Sequence, residues 1–268
     1  MFNMMKMDLR RMLKSKMFYI AFLCMAAAIL FTVITLRTVT DPELRQQAID
    51  KGMEITTTDQ EDFQEVLDMT WTEALCSSIY SGGFYSIIVS VIAVLFVCSD
   101  FGGGFAKNIF SYQGKRWQYV VSKLVCMAVV CLLWILGTFV VFEGICRAGQ
   151  IRFSPASPME YGMFVGGYLL IGMAYAAQAI FISLLTRSEG AGIGASIVVA
   201  GGLVAVLLEA FLGNWGISVM KYTLYGSLQD MESFLVDKTP AAWMISVILV
   251  WLAVWAALGI WSLKKKDI

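Results

Sequence analysis

Six blocks of near-continuous apolar residues, at 17–36, 80–98, 124–146, 161–185, 191–212 and 241–263, set the terms for any fold this chain can adopt. A hydrocarbon core roughly 30 Å thick is crossed by about 20 residues of helix, and each block has that length. The apolar residues run in blocks rather than in one-sided stripes, the pattern of membrane spans and not of a soluble core. Charged residues make up 15% of the chain, against about 25% in an ordinary soluble domain. The expectation is an all-α integral membrane protein with six transmembrane helices. The first block is too long in its apolar core, and lacks the following small-residue pattern, for a cleavable signal peptide.

Lysine and arginine orient the spans. One side holds Lys6, Arg10, Arg11, Lys14 and Lys16, then Lys107, Lys115, Arg116 and Lys123, then Arg187, then Lys264, Lys265 and Lys266. The other side holds Arg37, Arg45, Lys51, Arg147, Arg152, Lys221 and Lys238 over much longer connections. The richer side reads as cytoplasmic, which puts both termini inside. The acidic bias of 37–79 agrees, with ten Asp and Glu against three basic residues.

Four segments outside the blocks carry information. Residues 1–16 read as a cytoplasmic amphipathic helix, with Phe2, Met5, Leu9 and Met12 or Leu13 at helical spacing and Lys6, Arg10 and Lys14 on another face. The same charges could also serve only to fix topology. In the extracytoplasmic loop 37–79, Asp41-Pro42 starts one helix that Gly52 can end. Thr58 and Glu61 make a capping box for a second, whose face is Phe63, Val66, Leu67, Trp71 and Leu75. The loop is either a solvated decoration or an outer lid. Between spans two and three, Gly102, Gly103 and Gly104 permit a sharp break. Phe105, Ile109 and Phe110 or Tyr112 then share one side of a short helix that Gly114 ends, with Lys115 and Arg116 at the headgroups. Residues 213–240 are half apolar and too interrupted to cross and return, so they form either a re-entrant helical pair or a surface loop.

The residues also exclude chemistry. There is no histidine, which removes Ser-His and Cys-His catalysis and the usual zinc ligand sets. No phosphate-binding loop is present: Gly114-Lys115 is followed by Arg116, and Ile109 stands where the first glycine belongs. A net charge of zero gives no electrostatic case for nucleic acid. No catalytic, metal or cofactor site is expected on this chain. The six cysteines read as small buried hydrophobes, although Cys76 and Cys146 could both reach the outer face and pair. Within the blocks, Glu143 and Glu209 are the acidic residues, both near outer ends. They are either interfacial groups, Glu143 pairing with Arg147 one turn on, or a polar gate at the outer end of a central cavity. Gln178 and the Ser and Thr residues of the spans are expected to bond to local backbone. Gly162/Gly166 and Gly190/Gly194 have the spacing for close helix packing.

The layout resembles the membrane subunit of a type-2 ABC transporter, a six-span permease family that includes bacterial drug, bacteriocin-immunity and peptide exporters. The resemblance covers nearly the whole chain and rests on the basic amphipathic start, the segment 100–123 and the semi-apolar 213–240. Asp100-Phe101-Gly102-Gly103-Gly104 looks like that family's acidic-then-glycine stretch, and Gly114-Lys115-Arg116-Trp117 like its small-basic stretch. The resemblance implies that 105–113 is the coupling helix that docks on a separate ATPase. Asp100, Gly102, Phe105, Lys107, Ile109, Phe110, Lys115 and Arg116 would be the coupling residues, and 213–240 would be re-entrant. It also implies two ATPase chains that bind ATP and magnesium, a second permease chain, a plasma-membrane location and export of cargo. The aromatic, Met-rich and nearly charge-free spans point to an amphipathic or lipid-like substrate. Two other readings remain open: a non-transporting sensor or scaffold that uses 37–79 to read a ligand, and an intramembrane enzyme working through Glu143 and Glu209 alone.

Overall fold

The computed structural model describes residues 2–52, 68–104, 116–216, 218–237 and 242–265. They fold as helices: α1 Phe2–Leu13, α2 Lys16–Thr40, α3 Pro42–Asp50, α4 Trp71–Leu75, α5 Phe84–Gly102, α6 Trp117–Ala148, α7 Pro158–Thr186, α8 Glu189–Ala200, α9 Leu203–Leu212, α10 Leu224–Asp237 and α11 Ala242–Lys265. Short π and 3-10 turns join α4 to α5 and α9 to α10. Among the described residues the β-structure is a single bridge, Thr70 to Ser154.

Local chemistry sets many of the boundaries. Asp41 caps α3 by accepting from the Glu43 and Leu44 amides, with Pro42 in the first turn. Ser157 and Glu160 form a capping box at the start of α7, again with proline behind the cap. The helix expected to run through Trp71 and Leu75 is interrupted at Met69 and Thr70, between helical Asp68 and α4. Thr70 is extended and forms a capping box with Glu73, and the Trp71 amide donates to the Ser154 carbonyl. The Thr58–Glu61 start of the expected longer helix lies outside the described residues.

Five helices, α2, α5, α6, α7 and α11, are long and apolar enough to cross a membrane, and the pair α8–α9 makes a sixth if counted as one bent span. Their outward faces are apolar: Leu23 is 70%, Phe31 72%, Val140 74% and Phe211 79% exposed. Such a surface is stable only against hydrocarbon or another apolar partner. The chain is a helical, multi-pass membrane protein.

α7 lies at the centre, with α5, α6, α8, α10 and α11 packed on it. Gly172 lets the Tyr85 hydroxyl and the Cys131 sulfur sit directly against its backbone, and Gly167 does the same for Met231. On α8, Gly192 admits Val94 of α5. The G-x-x-x-G pairs are different: among the described residues nothing fills the space beside Gly162, Gly166, Gly190 or Gly194.

The expected fifth span is broken. α8 and α9 meet at 50° across Gly201-Gly202. Gly202 has φ of 81°, which glycine alone adopts freely, and the Tyr225 ring of α10 lies where a β-carbon would be. The Ala200 carbonyl exposed by the break accepts from the Ser86 hydroxyl at 3.1 Å, so the bend leaves that group satisfied.

Candidate functional site: a buried ion network at the first connection

α1 presents the column Met4, Asp8 and Met12 to the protein, all buried, while Phe2 is exposed. An aspartate thus sits in the middle of the stripe that docks this helix. The Met5 carbonyl also receives a weak bond from the Cys126 thiol of α6 at 3.6 Å.

Asp8 faces the first turns of α6. Its Oδ2 accepts from the Ser122 hydroxyl at 2.8 Å, and its Oδ1 pairs with Lys123 Nζ at 3.1 Å. The same ammonium lies 2.6 Å from Asp100 Oδ2 at the end of α5 and 3.6 Å from the Phe96 ring centre. Asp100 also accepts from the Tyr119 hydroxyl at 2.9 Å and pairs with Arg11 Nη1 at 2.7 Å. The side chains of Asp8, Asp100 and Lys123 are completely buried, and Arg11 closes the network at its edge, 36% exposed. Two carboxylates therefore meet two cations, and each is hydrogen-bonded, which is the condition under which charges are tolerated away from water. The network ties α1, the end of α5 and the start of α6 into one unit.

Asp100 and Arg116 flank the segment expected to couple to an ATPase. α5 continues through Gly102, so Asp100 is helical and enclosed rather than part of an open loop, and the chain turns at Gly104, with φ of 66°. Arg116, at the start of α6, donates from Nη1 to the Leu263 carbonyl at the end of α11 at 2.6 Å. Gly102 has open space beside it. Phe105, Lys107, Ile109, Phe110 and Lys115 lie outside the described residues.

Among the described residues the two candidate gate carboxylates are bonded to different partners. Glu143 pairs with Arg147 at 2.6 Å, as its spacing predicts, and accepts from the Trp71 indole at 2.9 Å. It lines a cavity of 460 Å³ with Trp71, Cys146, Ile151, Arg152 and Phe153. Glu209 accepts the amides of Val219 and Met220 at 2.6 and 2.7 Å, and so holds the turn that precedes α10. Cys76 and Cys146 are buried and form no disulfide among the described residues; Cys76 Sγ lies 2.8 Å from the Tyr168 hydroxyl.

Sequence reasoning missed Asp8, Tyr119 and Ser122, and it placed Lys123 in a charged connection when the residue is buried within α6. It also counted only Glu143 and Glu209 as acidic residues of the spans, whereas Asp100 belongs to α5. One signal was available: Asp8 is the sole acidic residue of the basic first sixteen and lies one turn from both Met4 and Met12. Among the described residues no cluster of Cys, Asp and Glu could hold a metal ion.

No curated protein matches this chain. Residues 55–268 match a family described as a protein of unknown function, DUF2705; the stretch includes Asp100 and Lys123 but not Asp8 or Arg11. Because that match spans most of its length, the chain belongs to the DUF2705 family.

Proposed function

We propose that this chain is the membrane-spanning permease subunit of an ATP-driven exporter of the type-2 ABC kind, with six spans and both ends in the cytoplasm of a plasma membrane. The observation that carries the reading is the four-charge network at the two roots of 105–115. Leaving one charge of a buried pair without its partner costs about 3–5 kcal/mol. A push on this connection therefore moves α1, the end of α5 and the start of α6 together, and through Arg116 it also reaches the end of α11. That is how a short lever coupled to an external motor would have to be anchored. In this reading the bend in α8–α9 is the hinge, with the Ala200 carbonyl at the break bonded to Ser86.

In this reading two permease chains, identical or related, enclose the transport path. ATP and magnesium act on two partner ATPases, whose closure drives 105–115 and shifts access from inside to outside. The cargo is amphipathic or lipid-like, and α10 with the preceding turns covers the path.

Affinity purification of the full chain from its native membrane tests this. A soluble ATPase should co-purify, and combined Phe105→Ala, Ile109→Ala and Phe110→Ala should abolish that pairing while the chain still inserts and elutes as a folded species. Recovery of the folded chain without any ATPase would overturn the proposal in favour of a sensor or scaffold.

A further inference from the structure

α1 has two faces of opposite character. Its docked column is Met4, Asp8 and Met12. On the other side of the helix, directly opposite Asp8, Lys6, Arg10 and Lys14 follow one another at one-turn spacing, and all three are exposed. Lys16 extends this strip to the start of α2 and is exposed as well. Among the described residues none of these cations pairs with a carboxylate. Asp8, the one acidic residue of the stretch, is turned inward and engaged with Lys123. The free face of α1 is therefore purely cationic, and it needs an anionic counterpart.

The depth of α1 selects that counterpart. The helix runs antiparallel along α6, with the Met5 carbonyl opposite Cys126 and Asp8 opposite Ser122 and Lys123. The apolar block of α6 begins at 124, so the first residues of α1 lie on the hydrocarbon side of the ion network and Lys14 on its water side. Phe2 continues beyond Met5 in the same direction and is 77% exposed. On the next helix, the exposed apolar face of α2 already starts at Tyr19, Ile20 and Leu23. A soluble protein would have to enter the headgroup layer to meet both Phe2 and Lys6, whereas lipid is there already. Long Lys and Arg side chains reach back from such a depth to the headgroups. A row of cations above an apolar tip matches a membrane surface that carries negative charge.

We infer that α1 binds anionic phospholipid at the membrane face where it lies, with phosphate groups on Lys6, Arg10 and Lys14 and acyl chain against Phe2. Arg11, beside Arg10 in the chain, pairs with Asp100, so the lipid covers a helix already joined to α5 and α6. Bound lipid thereby holds α1 on the buried network. None of this depends on the permease reading.

The test melts the full chain in neutral-detergent micelles with added phosphatidylglycerol, phosphatidylcholine or inorganic phosphate at equal concentration. Phosphatidylglycerol should raise the melting temperature, because a ligand of the folded state alone stabilises it, and the other two should leave it close to the starting value. The shift should shrink at about 1 M salt, where charges are screened beyond roughly 3 Å. Each basic residue near an anionic lipid surface is worth about fivefold in affinity, so combined Lys6→Gln, Arg10→Gln and Lys14→Gln should weaken binding about a hundredfold and remove the shift. Lys264→Gln with Lys265→Gln, at the end of α11, should retain it. Phosphatidylglycerol carrying a diazirine near its headgroup should label α1 in nanodiscs, and the label should disappear from the triple variant. If that variant does not fold, the labelling map and salt dependence of the wild type decide. An equal shift with phosphatidylcholine or with phosphate, a shift that survives in the folded triple variant, or label absent from α1 would each overturn the inference. No ATPase takes part, so the result stands or falls separately from co-purification.

Discussion

Replacing Lys123 by methionine keeps an unbranched side chain, one atom shorter, and removes its charge from between two buried carboxylates. In the folded protein Nζ lies 3.1 Å from Asp8 and 2.6 Å from Asp100, with all three side chains excluded from solvent. Arg11, paired with Asp100 from a position 36% exposed, would then be the remaining cation of the network. An exposed ion pair is worth about 0–1 kcal/mol, whereas stranding one partner of a buried pair costs about 3–5 kcal/mol. Burial decides between these figures, so the larger one is expected for Lys123→Met. Against a total stability of about 5–15 kcal/mol, that loss is readily measured. The double variant Asp8→Asn with Lys123→Met removes one charge of each sign, leaves the Asp100–Arg11 pair, and keeps an acceptor for Ser122. It should be less destabilised than the sum of its parts by about 1–3 kcal/mol. Reversible denaturant unfolding in mixed micelles, followed by tryptophan fluorescence, reads all four proteins of the cycle. A cost below about 1 kcal/mol for Lys123→Met, or simple additivity in the double variant, would refute the claim that these residues form one coupled buried unit.

Two further outcomes follow from particular contacts. Gly172→Ala places a methyl group against the Tyr85 hydroxyl and Cys131 sulfur, and should destabilise the protein by about 1–3 kcal/mol; adding Tyr85→Phe should restore part of this, as a thermal melt of the three variants would show. Glu209→Ala frees the Val219 and Met220 amides, so hydrogen exchange at those two positions should rise well above wild type, whereas Glu209→Gln, which retains an acceptor, should stay close to it.

The sequence showed where helices lie because length and hydropathy alone determine which segments leave water. Asp41-Pro42 likewise announces α3, since an N-cap followed by proline is satisfied within four residues of chain. The pairing of Glu143 with Arg147 was legible for the same reason: one helical turn brings them together. The break at Thr70 before α4 was not, because the Ser154 carbonyl that holds the Trp71 amide comes from a segment more than eighty residues away. The Gly201-Gly202 bend was also hidden inside an apolar block, and it becomes intelligible only with Ser86 and Tyr225 beside it.

What the chain determined by itself is its solvent: long apolar blocks make a helical membrane protein whatever their mutual arrangement, because backbone groups in hydrocarbon must bond within their own helix. What tertiary structure decided is the meaning of its few charges. Asp8, Asp100 and Lys123 come from three separate segments, and Coulomb attraction acts through space rather than along the chain. Only when α1, α5 and α6 close on one another does a topology signal become a buried joint.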